Sequence, residues 1–134
     1  TSVLVKLYHN EINSEKIIKQ LKSVNQIYLS EIAELEFCSA IWKKFRTKEI
    51  EKDKANTVIS LFFNDLTEFK WINIDSKIVN SAFNLLSDFG EIGLRTLDSI
   101  QLASALTLKE NDCLFYSEDK LLRKIFEKLK LNCF

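Results

Sequence analysis

Apolar positions along most of the chain recur with the spacing of an α-helix. The clearest case is residues 49–69, where Ala55, Val58, Ile59, Phe62, Leu66 and Phe69 share one helical face. The same reasoning predicts seven helices, over residues 1–8, 13–22, 31–46, 49–69, 75–90, 99–108 and 119–130. Asp75 is the expected N-cap and Gly90 the expected C-terminal glycine of the fifth helix. The sixth is apolar around most of its circumference, which is typical of a buried helix.

Short apolar runs between these helices predict strands. They cover residues 26–29, 71–74, 113–116 and 131–134. We expect Ser30 to end the first of them as the cap of the helix that follows. Strands that alternate with helices indicate an α/β fold with a parallel sheet covered on both faces. In such sheets, residues that carry chemistry lie beyond the carboxyl ends of the strands.

Length and composition narrow the class of protein. The chain has 134 residues, the size of one domain, so we predict a single domain over residues 1–134. Its 46% hydrophobic and 28% charged residues exclude a disordered chain. No apolar run approaches the ~18 residues of a membrane span. Three cysteines without Cys-x-x-Cys spacing argue against a disulfide framework or zinc site and fit the reducing cytoplasm. We expect all three to be buried.

The net charge is zero, with 19 basic and 19 acidic residues, so the whole protein has no general attraction to nucleic acid. Local basic faces are still possible. One cluster lies at the end of the third helix and another along the last. They comprise Lys43, Lys44, Arg46 and Lys48, and Lys120, Arg123, Lys124, Lys128 and Lys130. Either could contact phosphates, or could simply be a solvated helix face.

Carboxylates are the residues most able to carry chemistry. The chain lacks a glycine-rich phosphate loop, and its single histidine, His9, argues against histidine-dependent hydrolysis. Glu36 has no basic residue three or four positions away and shares its helix face with apolar or small residues, which is costly unless something binds the carboxylate. It could equally be an N-terminal-turn glutamate favoured by the helix dipole. Asp98 by itself fits an N-cap, and Asp119 a cap or a partner of Arg123.

Four stretches in order resemble the PIN-domain ribonucleases, specifically the VapC-type toxins of toxin–antitoxin pairs. The stretch 94–105, LRTLDSIQLASA, resembles their central motif, and 35–40, LEFCSA, their first internal acidic motif. The stretch 116–122, YSEDKLL, is similar to their late Ser/Thr-x-Asp motif. Residues 1–8, TSVLVKLY, are similar to the start of the family just after its first aspartate. Asp75 matches no motif, so capping remains its role.

The resemblance implies a three-layer α/β/α sandwich on a parallel sheet of about five strands, and an acidic site that binds Mg²⁺ or Mn²⁺ and cleaves RNA. It assigns Glu36, Asp98 and Asp119 as catalytic residues and metal ligands, with Ser2 and Ser117 as supporting hydroxyls. Hard divalent cations prefer oxygen ligands, so carboxylates suit this role. It further implies a cognate antitoxin whose tail covers the acidic groove, and a homodimer in which Trp42, Phe45 and Phe63 could take part instead of belonging to the core.

The resemblance also places an aspartate directly before Thr1. Because the chain contains no methionine, we expect the natural protein to carry a short apolar strand ending in that aspartate, absent from the sequence as given. Activity of the chain as given then depends on that residue. Two alternatives stay open: a PIN nuclease of RNA processing outside a toxin–antitoxin pair, and a PIN-like interaction module that no longer holds metal.

Overall fold

The predicted helices all occur in the computed structural model, which describes residues 2–9, 14–21, 23–111 and 113–133. Their observed bounds differ from the predicted ones by a few residues. Within these residues the helices are α1 Ser2–Tyr8, α2 Ser14–Leu21, α3 Ile32–Arg46, α4 Lys52–Asn64, α5 Ser76–Phe89, α6 Thr96–Leu106 and α7 Lys120–Lys128. Short 3₁₀ turns follow α4, α5 and α6, at Leu66–Glu68, Gly90–Ile92 and Lys109–Asn111. Asn13, the alternative predicted start of the second helix, lies outside the described residues.

The described chain divides into two compact units. The first comprises Thr1–Leu29 and Ala33–Trp71, and the second comprises Ser30–Ile32 and Ile72–Phe134. Each unit has its own hydrophobic core, because the apolar faces of its helices are buried against one another. We describe each unit by itself below.

Aromatic rings fill the core of the first unit. Phe37 of α3 and Phe62 of α4 are fully buried, with ring centroids 4.2 Å apart. Tyr8 of α1 stands edge-on to both rings, at 5.5 and 5.6 Å. Trp42 and Phe45 pack against this core, whereas Phe63 is 45% exposed. Of the three aromatic residues for which core and dimer surface were both possible, Trp42 and Phe45 thus contact the core as partly buried side chains.

The core of the second unit joins α5, α6 and α7. Ile78 and Leu85 of α5, Leu102 of α6, and Ile125 and Phe126 of α7 are all buried in one cluster. The strong amphipathicity of α5 and α7 follows from this arrangement, since each has one face in the cluster and the opposite face in solvent. These three helices position the residues of the two later motifs.

The sheet is smaller than predicted. Strands β1, Tyr28–Ser30, and β2, Lys70–Ile72, form a two-stranded sheet. The Lys70 amide donates to the Ile27 carbonyl and the Glu31 amide to the Ile72 carbonyl, so pairing advances in the same direction along both strands and they are parallel. In place of the strands predicted at 113–116 and 131–134, the described residues form one parallel bridge, between Phe115 and Cys133. The α/β class is confirmed, but a sheet of about five strands is not.

Several local expectations are corrected. Gly90 is the C-cap of α5, as expected, but it has right-handed helical geometry, φ −61°, and begins a 3₁₀ turn. The left-handed residue is Gly93, φ 105°, where the chain turns before α6 and only glycine is unstrained. The predicted buried helix is borne out from Ser99 to Leu106, where every residue is buried or partly buried, but α6 begins earlier, and Thr96 and Leu97 of its first turn are exposed. Cys38, Cys113 and Cys133 form no disulfide and are only partly buried, and burial raises the pKa of Cys38 and Cys133.

Candidate functional site

Asp119 stands at the start of α7 and caps it. Its Oδ1 accepts hydrogen bonds from the backbone amides of Leu121, at 2.8 Å, and Leu122, at 2.9 Å. These are two of the amide donors that the first turn of a helix leaves without a backbone partner. Both bonds use the same oxygen, so capping leaves Oδ2 available for another ligand. The two functions proposed for Asp119 from the sequence, cap and metal ligand, are therefore compatible on one side chain.

The third possibility for Asp119, an ion pair with Arg123, is wrong. Between these two described residues the contact is the helical bond from the Arg123 amide to the Asp119 carbonyl, at 3.0 Å. The Arg123 side chain instead interacts with Cys133, where its charge and hydrogen bond oppose the rise in the thiol pKa that burial causes. The exposed carboxylate of Asp119 thus lies beside the helix N-terminus without an ion pair to Arg123.

Asp98 is a residue of the first turn of α6 and not its cap. The helix begins at Thr96, and the preceding residue, Arg95, makes no side-chain cap hydrogen bond. The interpretation of Asp98 as an N-cap is therefore wrong. A carboxylate at this position is favoured by the helix dipole, and the side chain is partly buried. Asp98 and Asp119 therefore both lie at the N-terminal end of a helix of the second unit, Asp98 in the first turn of α6 and Asp119 at the N-cap of α7.

Glu36 belongs to the first unit. It is the fifth residue of α3, which begins at Ile32, and the acidic residue in the first turn is Glu34. The explanation of Glu36 as an N-terminal-turn glutamate is therefore weakened. It is partly buried and directly precedes the fully buried Phe37. The start of α3 at Ile32 therefore bears on the role of Glu36, which stays a prediction.

The two supporting hydroxyls have different settings. Ser117 Oγ accepts a hydrogen bond from the Asp119 amide at 3.2 Å, so it shapes the turn that presents the carboxylate. Ser2 is the first residue of α1 and is exposed. Their predicted role in orienting water or phosphate stays a prediction.

Two polar contacts of the second unit were not expected from the sequence. Ser104 Oγ donates to the Ile100 carbonyl at 2.9 Å and lies 2.8 Å from Ser30 Oγ, so Ser30 is the donor of that second bond. The pair joins the end of β1 to α6, the helix that carries Asp98. Glu31 Oε2 accepts from the Ile74 amide at 3.0 Å, next to the backbone bond from the Glu31 amide to Ile72. Ser30 is the last residue of β1 and its hydroxyl bonds Ser104, so Ser30 is not the expected cap of α3.

The donor set suits a hard divalent cation. Asp98 and Asp119 offer carboxylate oxygens and Ser117 a hydroxyl, and Mg²⁺ and Mn²⁺ prefer such ligands over nitrogen and sulfur. Among the described residues, no three His, Cys, Asp or Glu side chains form a group that could hold a metal ion. A site composed of Glu36, Asp98 and Asp119 together stays a prediction.

Comparison with protein families adds the deciding observation: the family model for the PIN domain matches residues 1–128. The chain belongs to the PIN domain family. PIN domains are α/β proteins and are generally metal-dependent nucleases, so this PIN domain is expected to share that chemistry. The match extends over Glu36, Asp98 and Asp119. A search of curated proteins finds no match to this PIN domain. No helix among its described residues is long and apolar enough to cross a membrane.

Proposed function

We propose that this PIN domain is a metal-dependent endoribonuclease and the toxin of a VapC-type toxin–antitoxin pair. The observation that carries the proposal is the family match over residues 1–128, which contains all three acidic motifs in order. The environment of Asp119 supports it, because one carboxylate oxygen caps α7 while the other remains outside the cap.

Glu36, Asp98 and Asp119 would hold Mg²⁺ or Mn²⁺ as direct or water-mediated ligands. When bound, a divalent cation supplies a positive centre that activates water and stabilises the negative charge of the phosphate during displacement. Carboxylates that share a site repel one another, so a bound cation would relieve that repulsion.

The chain's own groups would prepare this centre. Two backbone amides fix the Asp119 carboxylate, and the hydroxyl of Ser117 fixes the turn before it, so the ligand does not have to be ordered when the ion binds. The core residue Leu122 anchors the start of α7. Asp98 is held by α6, which the Ser30–Ser104 hydroxyl pair attaches to the end of β1. Ligands on packed helices keep their geometry better than ligands on mobile loops.

The remaining parts of the proposal concern assembly. We propose that the complete fold is a PIN-like sandwich with a sheet of about five strands. The parallel β1–β2 pair and the parallel Phe115–Cys133 bridge support it. A homodimer is supported by the exposed ring of Phe63. A cytoplasmic location is supported by three cysteines that form no disulfide. A cognate antitoxin would place an arginine among the carboxylates, a pairing that is strong because both groups are charged.

The test is cleavage of total RNA by the complete protein with Mg²⁺, Mn²⁺ or chelator. We expect cleavage with at least one ion and none with chelator. Asp98→Asn should abolish cleavage, because the amide keeps the size of the carboxylate and loses the charge that a cation needs. Asp75→Asn is the matched control: it is also an acidic residue at a helix start in the second unit, and it caps α5 by accepting from the Ile78 amide at 2.9 Å.

Each result has a defined meaning. Equal cleavage by the parent and Asp98→Asn would remove Asp98 from the site. Absence of cleavage by the parent with either ion would favour the interaction module over the nuclease. Co-purification with a small protein encoded beside it, whose removal restores cleavage, would support the toxin role over RNA processing.

A further inference from the structure

The solvent-facing side of α7 is basic. Lys120, Arg123, Lys124 and Lys128 are exposed along it, and Glu127 is its one acidic residue. The opposite side is buried in the core of the second unit through Leu122, Ile125 and Phe126. With 3.6 residues per turn, Lys120, Lys124 and Lys128 follow one another along one edge, ~6 Å apart per step.

This arrangement opposes the stability of the helix. Like charges four residues apart repel each other, and Lys120–Lys124 and Lys124–Lys128 are both such pairs. A lysine at the first helical position also stands at the positive end of the helix dipole, where cations are disfavoured. Among the described residues, the ammonium groups of Lys120 and Lys124 form no ion pair or hydrogen bond that would compensate. Helix stability therefore does not explain why these positions are basic.

The basic cluster at the end of α3 has a structural explanation. Lys43, Lys44 and Arg46 occupy the last turn, where the helix dipole favours cations. Lys44 Nζ also forms an ion pair with Glu49 Oε2 at 3.0 Å, and Glu49 accepts a further bond from the Thr47 hydroxyl. In the α7 cluster, Arg123 interacts with Cys133, and Lys128 lies in the last turn over the Phe89 ring. Lys120 and Lys124 are the members of that cluster for which the described residues provide no such local reason.

We propose that the exposed face of α7, defined by Lys120, Arg123, Lys124 and Lys128, binds the phosphate backbone of a single-stranded RNA. This inference rests on the proposed ribonuclease function. The face begins at the residue directly after Asp119, so a strand bound along it passes the carboxylate that the site requires. Phosphate contacts of this kind set affinity and register without reading sequence.

The test is binding of a fluorescein-labelled 12-nucleotide RNA to the full chain, followed by fluorescence anisotropy in chelator so that no cleavage occurs. The variant is Lys120→Gln with Lys124→Gln, because Arg123 contacts Cys133 and Lys128 lies over the Phe89 ring. The matched control is Lys43→Gln with Arg46→Gln, which removes the same charge from the exposed end of α3. Thermal unfolding shows whether each variant is folded.

The α7 variant should bind more weakly, and its plot of log affinity against log salt should be shallower by about 1.4, since each phosphate contact of a single strand contributes ~0.7. Its deficit relative to the parent should therefore shrink about sevenfold between 50 and 200 mM salt. The α3 control should keep the parent's slope.

Three results would overturn the proposal. The plot of log affinity against log salt could have the same slope for the parent and the α7 variant, the α3 control could lose as much RNA affinity as the α7 variant, or the parent could fail to bind the RNA. Tighter binding of a labelled 12-residue glutamate peptide than of the RNA would also overturn it and assign the face to an acidic protein. Cleavage of RNA is measured separately with metal present. A nuclease whose binding is indifferent to α7 would refute this inference alone, and an α7-dependent binder without cleavage would refute only the proposed activity.

Discussion

Substitution of Asp119 separates its capping role from its role at the proposed metal site. Asparagine retains an oxygen that can accept from the Leu121 and Leu122 amides and loses the charge and the second carboxylate oxygen. Alanine loses both functions. Asp75 offers a matched cap in the same unit, since its Oδ1 accepts from the Ile78 amide. The Asn and Ala variants of Asp119 and Asp75 therefore compare loss of the charge alone with loss of both the charge and the cap, at a proposed ligand and at a residue that only caps.

The magnitudes follow from the cap geometry. Loss of an aspartate N-cap costs about 1 kcal/mol, whereas Asn caps nearly as well as Asp. For a chain of 134 residues, 1 kcal/mol corresponds to roughly 4 °C in Tm. Asp119→Ala and Asp75→Ala should thus each lower Tm by about 4 °C, and the two Asn variants by less than about 2 °C.

Cleavage should follow a different order. Both Asp119 variants should lose at least about 100-fold, because changes even in residues outside the ligand set cost 10–100-fold at metal sites. Both Asp75 variants should cleave like the parent at a temperature well below Tm. The assays are differential scanning calorimetry and the initial rate of cleavage of a labelled RNA. Cleavage by Asp119→Asn within about threefold of the parent would refute the reasoning and leave Asp119 as a helix cap only.

Three further outcomes are expected. Asp98→Asn should abolish cleavage while lowering Tm by no more than about 4 °C, the loss of about 0.3–1 kcal/mol from the helix dipole, measured in the same assays. Ile125→Ala should lower the free energy of unfolding in urea by about 2–5 kcal/mol, because the residue is fully buried in the second unit. Tyr8→Phe should cost about 0.5–1 kcal/mol, since the hydroxyl donates to Asp65 at 2.9 Å and the ring contacts are kept. Burial and Asp65 raise the pKa of Tyr8. The unfolded chain then loses this proton first, near pH 10, so stability falls as pH rises above 10, and Tyr8→Phe should make that fall shallower; an equally steep fall would contradict the assignment.

The helices and the caps Asp75 and Asp119 are the features that the sequence by itself determined. The apolar spacing that places α3, α4 and α5 lies within each segment, so it can be read without knowing what the segment packs against. The caps Asp75 and Asp119 bond amides two or three residues ahead, and such local bonds are also visible in the sequence. The acidic motifs and the family resemblance were likewise legible, and the PIN family is confirmed.

Pairings between distant residues were decided only by the tertiary structure. Strand length depends on how many residues find a partner elsewhere, and 113–116 finds only the Phe115–Cys133 bridge in the described chain. The Ser30–Ser104 bond joins residues 74 positions apart, so nothing local to Ser30 distinguished it from a helix cap. Asp98 became a first-turn residue because α6 begins at Thr96, after the left-handed turn at Gly93. The basic face of α7 acquired its meaning in the same way: burial of Leu122, Ile125 and Phe126 turns its lysines to solvent, and the charge pattern alone did not separate it from the cluster on α3.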